Sequence, residues 1–257
     1  MRVYHMSGAG NDFAVIDARG ADLALQSLAV ALCQQTGADG FMAVDTSQVA
    51  DFRLHFYNRD GLRGEMCGNG ARCICKFAYD LGLVGQTMTV QTDAGIIRGQ
   101  RLGEETYRVE LNLPSVLALD RHPQCAYVEL GDPGVPHGLC PVETLPQDRE
   151  QLRDRGQALR YDPAFPKGAN VTFYETLTPG HVRVLTYERG VEDFTLACGT
   201  GCASLAAVLW TEGKLPGGVL TAENPGGILT VTVTGSAKKI EAITLEGPAK
   251  TLKIFEH

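Results

Sequence analysis

The spacing of apolar residues along the chain predicts many short strands and a few helices. Phe52, Leu54 and Phe56 alternate with polar residues, which is typical of a half-buried strand. From Gly70 the apolar side chains recur every three or four positions, and this spacing favours a helix that ends near Gly82. A strand, a turn and a helix therefore follow one another in this part of the chain.

The same patterns predict further helices and strands. Apolar positions within 21–36 favour a helix that Gly37 ends, and 146–153 has the composition of a solvent-exposed helix. The remaining strands are expected at 2–6, 13–17, 41–45, 88–92, 96–101, 106–111 and 249–256.

The second half of the chain repeats this plan. A strand at 182–187 leads into a turn, and Cys198 opens a helix that ends before Gly213. A Gly-Ile-aliphatic strand begins at Gly95, 28 residues after Cys67, and another begins at Gly227, 29 residues after Cys198. This period is too long for a solenoid, so we predict a duplicated domain.

The helix after Cys198 is apolar on nearly every side, so other structure must surround it. We therefore predict an α+β protein of two similar domains, with the active site between them. Each domain would be a mostly antiparallel curved sheet or barrel around a central helix. Residues 1–114, completed by the last strand at 249–257, would form the N-terminal domain, and residues 115–248 the C-terminal domain.

Composition excludes several classes of protein. The 257 residues can bury a full core, and 30 glycines suit a protein of strands and turns. A net charge of -7 gives no reason to expect a nucleic acid or an anionic membrane surface as a partner. No apolar run approaches a membrane span, and the first residues lack the apolar core of a signal peptide. We expect a cytoplasmic protein.

The eight cysteines lie at positions 33, 67, 73, 75, 125, 140, 198 and 202. A chain of this length without an export signal has little need of disulfides, so we expect reduced thiols. The spacings do not include the two-residue gap that is typical of zinc sites, which makes a structural metal an unfavoured alternative.

Two four-residue motifs carry the candidate chemistry, Cys67-Gly68-Asn69-Gly70 and Cys198-Gly199-Thr200-Gly201. Each cysteine precedes a predicted helix, where free N–H groups and the helix dipole stabilise a thiolate and can bind a carboxylate. One such motif is more often a buried cysteine before a glycine turn, but two copies at equivalent places in a repeat favour a functional pair.

The pair predicts that the two sulfurs face one bound amino acid and invert its α-carbon. One sulfur would act as thiolate base and the other as thiol acid, on opposite faces, and the reverse reaction would exchange these roles. Neither pyridoxal phosphate nor a metal is then needed, so we expect no cofactor.

Other polar residues have two interpretations each. The guanidinium of Arg189 matches a carboxylate and Glu188 beside it matches an ammonium group, yet both residue types are common on surfaces. Asn11, in a glycine-rich turn, either binds a ligand or only bonds its own backbone. His137 follows a turn-forming proline, and its local sequence favours a structural role.

Several segments together resemble the diaminopimelate epimerase family. They are Ser7-Gly8-Ala9-Gly10-Asn11-Asp12-Phe13, Tyr57-Asn58, Cys67-Gly68-Asn69-Gly70-Ala71-Arg72-Cys73, Pro136-His137, Asn170-Val171, Tyr187-Glu188-Arg189-Gly190 and Ala197-Cys198-Gly199-Thr200-Gly201. The resemblance runs through nearly the whole chain. Proline racemase and its relatives share the architecture.

This resemblance implies a pyridoxal-independent epimerase that interconverts LL- and meso-diaminopimelate in the lysine and cell-wall pathway. Cys67 and Cys198 would be the acid/base residues, and His137 and Glu188 would tune the pKa values of their sulfurs. The substrate's amino and carboxylate groups would be bound by Asn11, Asn58, Asn170, Glu188 and Arg189, with Gly68, Asn69, Gly199 and Thr200 around the reacting carboxylate. The last strand would return to the first domain. The only partner implied is a small amino acid, with a homodimer as an option.

Three positions depart from the family's pattern. Gly40 stands where many members have glutamine, Val135 where asparagine is common, and Phe194 where an acidic residue is usual. These changes remove polar contacts expected at the substrate, so a racemase for another amino acid is one alternative. A cysteine-based redox or binding protein is the alternative from a different class.

Overall fold

The computed structural model describes residues 1–64, 67–236 and 239–257. Its elements in chain order are β1 (Arg2–Gly8), β2 (Asn11–Asp17), α1 (Leu25–Thr36), β3 (Gly40–Asp45), β4 (Phe52–Asn58), α2 (Gly68–Asp80), β5 (Thr87–Thr92), β6 (Gly95–Arg101), β7 (Thr106–Leu111), β8 (Pro114–His122), β9 (Cys125–Gly131), β10 (Gly134–Pro141), α3 (Arg153–Arg160), β11 (Asn170–Thr178), β12 (His181–Glu188), β13 (Asp193–Thr195), α4 (Gly199–Thr211), β14 (Val219–Asn224), β15 (Gly227–Ser236), β16 (Lys239–Pro248) and β17 (Lys250–Glu256).

The chain divides into two units. Unit 1 contains Met1–Glu110 and Glu246–His257, and unit 2 contains Leu111–Leu245. The predicted α+β fold with two domains of mostly antiparallel strands is confirmed. The domain limits proposed from the sequence, after residues 114 and 248, stay predictions.

Unit 1 is built around helix α2. Strand β1 pairs antiparallel with β2 and with β17, β2 pairs parallel with β3, β3 antiparallel with β4, and β4 parallel with β5. Strands β5, β6 and β7 continue antiparallel. Helix α2 packs against β1, β2, β3 and β6, and most of its side chains are buried. Its buried position explains why apolar residues recur along it.

Unit 2 repeats this order of pairings around helix α4. Strands β8, β9 and β10 are antiparallel, β10 pairs parallel with β11, β11 antiparallel with β12, and β12 parallel with β14, which pairs antiparallel with β15. Helix α4 packs against strands of this unit and is buried from Gly199 to Leu209 with the exception of Thr200. This burial matches its nearly uniform apolar surface. No helix in the described ranges is long and apolar enough to cross a membrane.

The C-terminal ends of α1, α2 and α4 agree with their sequence signals, whereas other helix bounds differ. Helix α1 begins at Leu25 rather than at 21 and ends at Gly37, whose φ of 75° is left-handed. Glycines with positive φ also follow α2 and α4, at Gly82 and Gly213. The helix predicted at 146–153 is wrong in its bounds. Because the Asp148 carboxylate accepts the N–H of Glu150, a short 3-10 turn begins there and leads into α3.

Two cysteines form a disulfide, which contradicts the expectation that all eight are reduced. Cys125 lies on β9 and Cys140 on β10, and the antiparallel pairing of Ala126 with Leu139 brings the next residues opposite each other, with Cα atoms 4.3 Å apart. Neither strand was predicted, so no sequence pattern brought these two residues together. The other six cysteines are free thiols.

Candidate active site

Cys67 is the residue directly before helix α2. Its backbone is extended, with φ -112° and ψ 116°, and its carbonyl oxygen accepts the N–H of Ala71 at 2.8 Å. This is the capping position, where the first N–H groups of a helix lack helical acceptors and the dipole is positive. The half-buried thiol therefore lies at an end of the helix that attracts negative charge.

Asn11 contacts this thiol from the turn between β1 and β2. The Sγ–H of Cys67 donates to Oδ1 of Asn11 at 3.5 Å, and Nδ2 of Asn11 donates to the carboxylate of Asp39 at 2.7 Å. The same oxygen of Asp39 accepts the N–H of Asp12 at 3.0 Å. A carboxylate can only accept, so Asp39 fixes the Asn11 amide with its carbonyl toward the sulfur. This arrangement favours the protonated thiol.

Two residues that sequence analysis did not assign hold the first turn of α2. A Cβ on Gly8 would lie 2.7 Å from the carbonyl oxygen of Asn69, so β1 approaches the turn too closely for a side chain. Arg72 is 0% exposed and donates to Asn69 Oδ1 at 2.9 Å and to Gly68 O and Pro248 O at 3.3 Å each. The sequence did contain a signal for Arg72, because a positively charged residue lies there on a helix face that is otherwise buried.

Asn58 lies at the exposed end of β4, opposite Gly40 in the pairing with β3. A Cβ on Gly40 would lie 2.7 Å from the Phe56 ring and 3.1 Å from the carbonyl oxygen of Tyr57. The aromatic ring thus occupies the space that a longer side chain at position 40 would need. In unit 1 the structure brings Asn11 and Asn69 to the Cys67 turn and places Asn58 at the end of the preceding strand.

Cys198 holds the equivalent position before helix α4. Its backbone is extended, with φ -116° and ψ 101°, and its carbonyl oxygen accepts the N–H of Cys202 at 3.0 Å. Sγ lies 3.6 Å from Oγ1 of Thr200 and accepts the N–H of Gly201. The side chain is deeper than that of Cys67, with only 5% of the residue exposed.

Burial raises the pKa of the Cys198 thiol well above its ordinary value, and the nearby carboxylate of Glu188 raises it further. The Thr200 hydroxyl and the Gly201 N–H act in the opposite direction, because both stabilise the thiolate. Burial and Glu188 dominate, so Cys198 is a thiol at neutral pH.

The remaining predicted residues of unit 2 lie on adjacent strands. His137 on β10 pairs with Asn170 on β11, and Oδ1 of Asn170 accepts the backbone N–H of Arg189 at 2.8 Å. Glu188 ends β12, and its carboxylate accepts the Thr195 hydroxyl at 2.9 Å. Asn170 therefore fixes the start of the turn that carries Arg189.

His137 is completely buried, and neither ring nitrogen has a hydrogen-bond partner among the described residues. Burial lowers the pKa of His137 to about 3, and the positive charge of Arg189 lowers it in the same direction. The imidazole is therefore neutral at physiological pH. The described parts of the chain contain no group of three His, Cys, Asp or Glu side chains arranged to hold a metal ion.

Comparison with known proteins identifies the family. A family model described as diaminopimelate epimerase matches residues 3–113 and 131–252. The diaminopimelate epimerase of Chlorobaculum tepidum is 35% identical over 253 residues, covering 96% of this chain and 97% of the relative. That of Aquifex aeolicus is 35% identical over 266 residues, covering 93% and 92%.

Solved structures with lower identity share the fold. A phenazine biosynthesis protein of the PhzF family from Bacillus anthracis matches with a TM-score of 0.75 at 19% identity, covering 99% of this chain and 98% of that protein. A probable proline racemase from Agrobacterium radiobacter matches with a TM-score of 0.73 at 19% identity, covering 100% and 92%. With the family match in both halves of the sequence and relatives that align over nearly its full length, this chain belongs to the diaminopimelate epimerase family and is an isomerase of the amino-acid epimerase and racemase type.

Proposed function

We propose that the protein interconverts LL- and meso-diaminopimelate in a two-base reaction of Cys67 and Cys198, without a cofactor. The observation that supports this best is the repeat of one arrangement, a cysteine directly before a buried helix, in each of the two units. A single helix-capping cysteine would be compatible with simple packing. Two at equivalent places match a reaction that needs one proton carrier on each face of the α-carbon.

In the proposed reaction the thiolate of one cysteine takes the α-proton, so a C–H bond breaks and an S–H bond forms. The thiol of the other cysteine gives its proton to the opposite face, and the roles exchange in the reverse direction. Charge that develops on the substrate carboxylate is stabilised by the first N–H groups of α2 and α4, around Gly68, Asn69, Gly199 and Thr200. Such an arrangement lowers the barrier to removing a weakly acidic proton.

Substrate binding also changes the balance between thiol and thiolate. Cys67 donates to Asn11, and the pKa of Cys198 is raised by burial and by Glu188. We assign the substrate ammonium to Glu188, where its positive charge offsets the carboxylate charge and lowers the cost of forming a thiolate. Arg189, Asn170, Asn11 and Asn58 would bind the remaining amino and carboxylate groups. His137, neutral in its buried site, would tune Cys198 without adding a charge.

The test is turnover of LL-diaminopimelate in D₂O. We expect deuterium at the α-carbon of both the meso product and the recovered substrate. Cys67→Ala and Cys198→Ala should each reduce epimerisation by at least about 10²-fold, because each removes an acid/base group. Epimerisation that continues in either variant would contradict the two-base reaction, and a wild-type protein that incorporates no deuterium would contradict the assignment of substrate.

A racemase for another amino acid is the second candidate, and two observations favour it. The Phe56 ring occupies the space beside Gly40, and Val135 presents an aliphatic side chain on β10. Phe194 carries less weight, since it is buried against Tyr187 with ring centroids 5.5 Å apart and so belongs to the core. A screen of α-proton exchange across diaminopimelate and the common amino acids distinguishes the two candidates.

The proposed reaction belongs to lysine and cell-wall biosynthesis, and we propose a cytoplasmic location for it. The same proposal admits a homodimer, which sedimentation of the purified protein would reveal. A cysteine-based redox or binding protein would catalyse no exchange of an α-proton, so the D₂O experiment also tests that alternative.

A further inference from the structure

The two units support their cysteine turns with different side chains. In unit 1 Met42 on β3 pairs with Phe56 on β4, and a Cβ on Gly70 would lie 3.2 Å from Sδ of Met42. In unit 2 Thr172 on β11 pairs with Thr186 on β12, and a Cβ on Gly201 would lie 2.8 Å from Oγ1 of Thr172. The support below the turn is thus apolar in unit 1 and a pair of hydroxyl groups in unit 2.

The hydroxyl pair lies close to the sulfur of Cys198. The Cβ position on Gly201 would be 2.8 Å from Thr172 Oγ1 and 3.2 Å from Cys198 Sγ, so these two atoms are within about 6 Å of each other. Gly201 also supplies the N–H that bonds the sulfur. The oxygen of Thr172 therefore packs directly beneath the residue that stabilises the thiolate.

The burial of these hydroxyls needs an explanation. Thr172 is 0% and Thr186 3% exposed, and their oxygens lie 3.0 Å apart. The bond between them uses one hydroxyl hydrogen, so the pair keeps a second hydrogen to donate. A valine has nearly the same shape and no polar group to desolvate, so two buried threonines are costlier than two valines unless their hydroxyls have a role.

We propose that Thr172 and Thr186 are positioning residues for Cys198. The pair holds Gly201 at the distance where its N–H bonds the sulfur, and it directs a hydroxyl dipole toward the turn when the thiolate forms. This inference deepens the proposed function, on which its catalytic meaning rests. The two thiols then differ in their support, since the Cys67 turn lies on Met42.

The hydroxyl pair acts together with the other groups around Cys198. These are the carboxylate of Glu188 at the end of β12, which disfavours the thiolate, and the Thr200 hydroxyl, the Gly201 N–H and the Cys202 thiol on its own helix. A hydroxyl donor beneath the turn opposes the effect of Glu188 and of burial. Its removal should therefore slow any reaction that requires the thiolate of Cys198.

The test measures the reaction of Cys198 with methyl methanethiosulfonate in a Cys67→Ala background, by mass spectrometry of the Cys198 peptide across pH. We expect Thr172→Val and Thr186→Val to slow the reaction about five-fold near neutral pH and to shift its pH profile to higher pH. Each substitution removes one hydroxyl group of the pair. Thr172→Ser keeps the hydroxyl and should stay within about two-fold of the parent. Met42→Leu, at the equivalent position of unit 1, is the matched control and should leave the rate unchanged.

Two outcomes would overturn the inference: equal rates in the valine variants and the parent, or an equal loss in Thr172→Val and Thr172→Ser. If Thr172→Val does not fold, Thr186→Val alone decides. Because the thiol reaction uses no amino acid, its result is independent of whether the protein acts on diaminopimelate. In the Cys67-containing enzyme the same variants should lower kcat about five-fold and leave KM nearly unchanged, because the hydroxyl pair contacts the catalytic turn rather than the substrate.

Discussion

The Asp39 carboxylate influences the protonation state of the Cys67 thiol through Asn11, which contacts both groups. The sequence motif identified Asn11, but Asp39 has no motif of its own and became visible only through its bond to the Asn11 amide. A contact between residues 28 positions apart depends on the pairing of strands, which local sequence does not encode. Local patterns thus find the residue at the sulfur and miss the residue that orients it.

This geometry predicts the effect of Asp39→Asn. An asparagine at 39 can donate as well as accept, so the Asn11 amide is free to turn and present its NH₂ group to Cys67. The loss of a nearby negative charge acts in the same direction, and both favour the thiolate. We expect Cys67, in a Cys198→Ala background, to react with iodoacetamide several-fold faster at pH 7. The exposed Asp22→Asn is the control, and an unchanged rate at Cys67 would show that Asp39 does not orient Asn11.

Among the secondary-structure elements, the C-terminal ends of three helices were predicted best, because a single glycine marks each of them. The turns after α1, α2 and α4 end at glycines with positive φ, and each of these ends was predicted. Strands β8 to β11, β13, β14 and β16 were missed. In β8, β9 and β10, for example, residues 114–141 lack a clear alternation, and their pairing depends on contacts with other strands. The disulfide was missed with them, since it requires β9 and β10 to be paired.

The close packing of β1 on the first turn of α2 predicts a large effect of a single methyl group. In Gly8→Ala the new Cβ would lie 2.7 Å from the backbone oxygen of Asn69 and 3.2 Å from Sγ of Cys73, so the helix or the strand has to move. We expect a loss of about 1–3 kcal/mol in the free energy of unfolding, measured by urea denaturation. Gly85→Ala is the matched control, because no atom lies within 4 Å of the added carbon. Equal stabilities of the two variants would contradict this account of the packing.

For the whole molecule, the duplication was the most informative feature of the sequence. Two similar motifs at similar distances from two similar strands predicted a repeated unit, and the order of parallel and antiparallel pairings recurs in the two units. The repeat does not extend to the residues beneath the two cysteine turns: Met42 and Phe56 in unit 1 correspond to Thr172 and Thr186 in unit 2. Such differences between the units cannot be predicted before the strand register is known. The local sequence does not identify which residues pair across two strands.

The buried imidazole of His137 predicts how the stability of the molecule depends on pH. Its pKa is about 3 in the folded protein, and an unfolded histidine has an ordinary value of 6.5. As the pH falls below 6.5, the unfolded chain binds a proton at this residue and the folded protein does not, so stability falls. The slope approaches about 1.4 kcal/mol per pH unit and ends near pH 3, where the folded protein also takes up the proton.

The buried Glu129 contributes in a lower range of pH. The Lys167 ammonium and the Tyr127 hydroxyl hold the pKa of its carboxylate below the ordinary value against the opposing effect of burial. That stabilisation is present above the ordinary carboxylate value, near 4.5, and is lost as the pH falls through the lowered folded value. Between pH 6.5 and 5, therefore, His137 accounts for most of the slope that these two groups produce.

The measurement is urea denaturation between pH 7 and 5 for the wild type, His137→Gln and His181→Gln. In the His137→Gln variant we expect the free energy of unfolding to depend much less on pH, by nearly the contribution of one bound proton, since glutamine does not titrate. His181, whose ring contacts the Glu223 carboxylate on a partly exposed face, provides the matched control for the substitution itself. A His137→Gln variant with the wild-type slope would mean that the folded protein binds a proton at this ring as readily as the unfolded chain does, and the assignment of a neutral, enclosed imidazole would have to be abandoned.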